Sequence, residues 1–111
     1  MRKTLTTGLL CGAVALSAAA SAQTAADEQR AAGKAAYLKL HFREAEGHFQ
    51  AAADADPGSA DTLYYLAYTV YKIAEPRRPN DPGKRRAAEL FARAYQIDPG
   101  FTPDWGVPGR R

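Results

Sequence analysis

Cysteine is all but missing from this chain: Cys11 is the only one in 111 residues. It sits in LTTGLLCGAVALSAAA (5–20), an uncharged apolar stretch that follows Arg2 and Lys3 and leads into Ala20-Ser21-Ala22. A basic start, a short apolar core and a small-x-small end form the layout of an export signal, with cleavage expected between Ala22 and Gln23. The run is shorter than the roughly 20 apolar residues of a membrane span, and Thr, Ser and Gly dilute it, so it reads as a signal and not an anchor. Leu10, just before Cys11, is not the small residue that a lipid-attachment site wants. Cleavage therefore discards the cysteine, and with it any disulfide, thiolate nucleophile or thiolate metal ligand. The expected location is periplasmic or secreted.

Other chemistry is scarce as well. His41 and His48 are the only histidines, and with Glu44 their spacing matches no metal-ligand pattern. No Gly-rich phosphate loop follows a strand, no serine stands in a nucleophile motif, and the acidic residues are scattered. The chain reads as non-enzymatic, with no cofactor and no metal. Charge of one sign is also lacking: without Arg2 and Lys3, 13 of the 15 basic residues remain against 12 acidic ones. Near-neutral charge on an exported chain argues against a nucleic-acid partner.

No stretch alternates as a strand does. Apolar residues along 24–101 instead recur at three and four, which predicts helices. Thr24 is placed to cap a first helix running to about Leu40, with Asp27 and Glu28 favoured in its first turn. A second, over about 43–55, stops before Asp56-Pro57-Gly58, because Pro57 cannot continue it. Ser59 is the expected cap of a third, about 60–74. Asp81-Pro82 opens a fourth, about 82–97, which Asp98-Pro99-Gly100 ends.

The chain also repeats itself. Phe49, Ala52, Asp56 and Pro57 return 42 residues later as Phe91, Ala94, Asp98 and Pro99, and Ala45 returns as Ala87. With Gly33 and Phe42 ahead of the first set and Leu63, Leu66 and Ala67 ahead of the second, the pattern resembles the tetratricopeptide repeat family, whose helix–turn–helix unit is about 34 residues long. The resemblance implies an all-α fold of two such repeats, 23–59 and 60–101, making four helices in an αα-hairpin solenoid. Small residues at Gly33, Ala45, Ala52, Ala67, Ala87 and Ala94 would let helices approach, and Phe49 and Phe91 would fill the gaps between pairs. The second repeat needs an insertion of about eight residues, since the offset exceeds the family period by that much. Glu46 departs from the pattern, standing where an apolar residue is usual. Trp105 would open a third repeat that Pro108 and Gly109 stop. Residues 102–107 are therefore expected as a capping turn laying Trp105 over the end of the core, with a tail to Arg111.

The family binds partners mainly on the concave face lined by the first helix of each pair. Carried over, that face holds Asp27, Arg30, Lys34 and Tyr37, then Asp61, Tyr64, Tyr68, Tyr71 and Lys72. Helical spacing alone puts Tyr64, Tyr68 and Tyr71 on one stripe and Leu63, Leu66, Val70 and Ile73 on another. The tyrosines suit either a binding surface or the packing of a small core, and the sequence leaves both open. Arg30 and Lys34 are candidates to hold an acidic group, although the third repeat and the Asn of the family's carboxylate clamp are missing. The insertion EPRRPNDPGKRR supplies Arg77, Arg78, Lys84, Arg85 and Arg86. It is either a solvated loop or a weak contact for an anionic membrane surface. The leading expectation is an adapter that holds a segment of another envelope protein. Self-association is the alternative, through an outer side of the last helix bearing Leu90 and Tyr95. Small-ligand binding by the tyrosines ranks last.

Overall fold

The structure, a computed structural model, describes residues 2–106, with side chains from Ala20 onward. Four helices follow one another: α1 (Arg2–Leu38), α2 (Phe42–Ala55), α3 (Ala60–Ala74) and α4 (Pro82–Ile97). Among the described residues there is no strand. α1 packs on α2 and α3 on α4 as two antiparallel hairpins, and α2 on α3 joins them.

Local chemistry sets most helix ends. The Ser59 side chain accepts a hydrogen bond from the Thr62 amide, and that of Asp81 accepts from the Gly83 amide. Each satisfies one of the amides a helix start leaves unpaired. The repeated Asp-Pro-Gly stops share one geometry. Asp56 and Asp98 have φ of −141° and −144°, and their amides donate to Ala52 and Ala94 carbonyls. The repeat in the sequence is thus a repeat of backbone shape.

α1 departs from expectation at both ends. Thr24 does not cap it. The helix runs through that position, and the Thr24 hydroxyl donates to the Ala20 carbonyl. Nothing in the Ala-rich stretch before it breaks a helix, so the cap has no chain departure to serve. The backbone of residues 2–22 belongs to this helix; the side chains of residues 1–19, which carry the basic start and the apolar core of the export reading, Cys11 among them, lie outside the described residues. Among the described residues no helix is long and apolar enough to cross a membrane. At its other end, α1 stops short of Leu40. That residue takes the left-handed conformation (φ 65°), while the Leu40 and His41 amides donate to the Tyr37 and Ala36 carbonyls. This is a Schellman stop with leucine where glycine is usual.

Phe49 is fully buried at the centre of the first hairpin. A methyl group on Gly33 would come within 2.7 Å of its ring, so the missing side chain is what lets α1 close over α2. Ala45, Ala52, Ala67, Ala87 and Ala94 are all buried at the helix contacts. α3 lies between α2 and α4 and is covered nearly all round, Thr62 and Thr69 included. Leu90 is 8% exposed and joins this core, so the outer side of α4 keeps Tyr95 and Ile97 but not the leucine expected there.

The two hairpin turns differ as the offset requires: one spans Leu38 to Phe42, the other Ala74 to Pro82. In the longer turn the Lys84 ammonium folds back onto the Arg77 carbonyl (2.7 Å), and Arg77 lies 3.8 Å from Asp81. Arg86 reaches the other hairpin, donating to Glu46 (2.7 Å) and Gln50 (2.9 Å) on α2. Glu46, the misfit in the repeat pattern, is thus the anchor for a cation at the insertion's end. Arg78 and Arg85 are exposed.

Leu40 is 73% exposed, so it gives up little burial on truncation. Replacing it with glycine relieves the left-handed strain, less the extra freedom given to the unfolded chain. Leu40→Gly should raise stability by about 0.5–1 kcal/mol in urea denaturation; a loss of stability would contradict the assigned turn.

Candidate protein-binding face

α1 and α3 flank an open face and touch each other only briefly. The gap between them is bridged by the chain itself. After α4 the backbone leaves helix at Asp98, whose carboxylate accepts from the Gly100 amide, and runs across the face to Gly106 without regular structure. The Phe101 ring stacks on Tyr64 at 4.6 Å and meets Tyr65 edge-on. The Trp105 indole lies flat on Tyr37 of α1, centroids 3.8 Å apart, and meets Tyr65 and Tyr68 of α3 edge-on. Of the six tyrosines, four phenylalanines and one tryptophan, all but Tyr71 and Tyr95 join this one network.

Two tyrosine hydroxyls fix the segment's backbone. Tyr65 donates to the Asp104 carbonyl (2.7 Å) and accepts from the Asp104 amide (2.9 Å). Tyr64 donates to the Asp98 carbonyl (2.9 Å). Behind Tyr65, the Lys34 ammonium stands 5.2 Å from its ring centroid, a cation–π distance. Burial pushes the phenols of Tyr37, Tyr64 and Tyr65 above their ordinary ionisation range. The Asp98 carboxylate adds to the effect at Tyr64, whereas the hydrogen bond from Asp104 partly counters it at Tyr65.

The residues carried over from the repeat pattern part company here. Arg30 is turned into the contact between the hairpins, donating to Thr62 (3.1 Å) and Ser59 (3.5 Å) while pairing with Asp27 (2.6 Å). Lys34 is on Tyr65, so Arg30 and Lys34 do not converge on an open slot. Asp61 is exposed in the first turn of α3. The tyrosine stripe divides by depth: Tyr64 is buried under Phe101, Tyr68 is half-buried against Phe91 and Trp105, and Tyr71 is 42% exposed. Lys72 pairs with Glu75. What stays open is a trough of about 470 Å³ with Tyr37, Tyr68 and Trp105 in its walls and Tyr71, Lys72 and Glu75 at its rim.

Trp105 packs against the core, as a segment that covers it should. It reaches across to α1, because Tyr37 offers a ring to stack on and Tyr65 a hydroxyl for the backbone beside it. Pro108 and Gly109, the expected stop, lie outside the described residues. Tyr65 and Phe101 belong to this face, and the repeat pattern does not single them out. A signal for Tyr65 is nonetheless present: α3 is apolar on every side from Leu63 to Val70, and a helix of that kind is enclosed on every side.

Among the described residues no three His, Cys, Asp or Glu side chains come together. His48 bonds Gln29 on α1 (2.8 Å), and His41 lies 3.3 Å from Glu44. No family model, curated protein or solved structure matches this chain. The functional reading therefore stands on the geometry of the face.

Trp105 is the only tryptophan, so its fluorescence reports this segment alone. Tyr65→Phe keeps the ring but removes both bonds to Asp104. It should cost about 1–2 kcal/mol, shift Trp105 emission to the red and speed its quenching by acrylamide. Unchanged emission would mean that the hydroxyl does not hold the segment.

Proposed function

We propose that this protein is an exported, non-enzymatic interaction module of the tetratricopeptide kind. It holds an extended segment of another envelope protein on the face between α1 and α3. The observation that carries this reading is that the face already holds extended polypeptide. Residues 98–106 lie there with two aromatic side chains stacked on tyrosines and both backbone polar groups of one residue on a single hydroxyl. A surface that binds its own chain in this way has the chemistry to bind another. Tyrosine and tryptophan, which line it, supply large rigid contact area together with a polar handle.

Two further points support the reading. The pairing of Gly33 with Phe49 and the matched stops at Asp56 and Asp98 are what a helical-repeat scaffold needs. The layout of residues 2–22, with a small-x-small end at Ala20–Ala22, fits export with cleavage before Gln23. Self-association through α4 has less in its favour, since Leu90 is turned inward. A membrane role for the basic loop is weakened in the same way, with Lys84 and Arg86 engaged inside the molecule.

A photo-crosslinking residue at Tyr71, on the open rim of the face, tests the proposal in cells. One discrete heavier adduct is expected, and none from the same residue placed at Arg93 on α4. Absence of any adduct, or an adduct only at twice the monomer mass, would overturn the reading.

A further inference from the structure

We propose that residues 98–106 stand in for the partner. The face between α1 and α3 reads an extended segment bearing two aromatic side chains four residues apart, and that segment enters by displacing the chain's own Phe101 and Trp105. This rests on the binding function proposed above and adds the chemistry of the partner and the regulation of the face.

The segment is seated as a ligand is seated. From Phe101 onward its half-buried residues are Phe101, Pro103 and Trp105, while Thr102, Asp104 and Gly106 are exposed. That alternation is the reading pattern of extended chain, in which every second side chain faces the surface it lies on. No backbone ladder secures it; the one backbone bond within it, from the Phe101 amide to the Asp98 carbonyl, is 3.5 Å long. Ring contacts and the Tyr65 hydroxyl hold residues 101–106, and a separate peptide can make every one of these; the Asp98 carbonyl, at the end of α4, stays on Tyr64. The turns at Gly100 and Gly106 are closed by Asp98 and Asp104, side chains of the same segment, so a peptide carries them with it.

The helices beneath keep their own core. Ala45, Leu66, Ala67 and Val70 are buried among the helices, and the pairing of Arg86 with Glu46 joins the hairpins without the segment. A segment without regular structure, held by side chains, opens at lower cost than packed helices do. The trough beside Trp105, rimmed by Tyr71 and Lys72, gives an incoming segment a place to dock before the chain's own residues leave.

The test uses the full-length chain with Phe101→Ala and Trp105→Ala together. The probe is a fluorescein-labelled peptide of residues 98–106, DPGFTPDWG, followed by anisotropy. A control peptide has its Asp and Trp exchanged, which moves the second aromatic by one residue. A tethered segment competes at about millimolar effective concentration, so the double variant should bind the native-order peptide at least tenfold more tightly than the unaltered protein does. The control peptide should bind neither. Equal binding to both proteins, or none to the folded variant at millimolar peptide, would overturn the proposal.

Should the double variant fail to fold, the unaltered protein answers with a peptide in which Phe replaces Trp. A red shift of Trp105 emission on titration supports displacement, and no shift at millimolar peptide refutes it. An unaltered protein that is dimeric by light scattering, with Trp105 shielded only in the dimer, would make a second copy the occupant and also overturn the proposal. Peptide binding without a cellular adduct at Tyr71 would sink the proposed function and leave this recognition standing. A cellular adduct without peptide binding would sink this inference alone.

Discussion

Tyr65 stands where the two hairpins and the C-terminal segment meet, and the structure depends on what its two ends do. Its ring lies parallel to that of Phe49, which fills the first hairpin, and its hydroxyl takes both backbone polar groups of Asp104. A buried phenol needs a partner for its hydroxyl, and a chain crossing a surface without regular structure needs partners for its amides and carbonyls. Each supplies the other's need. Burial therefore stabilises the neutral phenol, and the neutral phenol, able to donate and accept at once, holds the chain.

That arrangement answers a problem of size. Repeat arrays bury a continuous core by stacking, and about three units are normally needed for stability. This chain has two. Phe101 and Trp105 cover the ring faces of Tyr64 and Tyr37 and meet Tyr65 edge-on, adding aromatic burial that two units alone do not provide. The same segment thus packs against the aromatic core and occupies the face proposed to hold a partner. The proposed exchange of that segment for another protein's would replace like contacts with like and would not leave the core bare.

Features set by near neighbours in the chain are legible in the residues alone. Three-and-four spacing marks all four helices; Ser59 and Asp81 cap as their residue types predict, and the Asp-Pro-Gly stops close both hairpins. Leu90 is legible too, since Ala87, Leu90, Phe91 and Ala94 form one helical stripe, and that stripe puts it inside, against the expectation of an outer position. What escapes depends on residues far apart. Glu46 looks like a defect because its partner, Arg86, is forty positions away. Tyr65 looks redundant beside Tyr64 because the groups it serves, on Asp104, lie at the other end of the chain. Thr24 misleads about the start of α1 because a cap residue acts only where the chain leaves the helix, and an Ala-rich stretch gives it no reason to.

The central claim is that residues 98–106 lie across the face between α1 and α3 in solution. Nuclear Overhauser contacts between the Trp105 indole and the Tyr37 ring test it directly, because the two rings belong to opposite ends of the chain and no helix brings them together. The account predicts strong contacts, with indole resonances shifted upfield by the stacked rings at 3.8 Å. An indole with random-coil shifts and no contact to Tyr37 would contradict it.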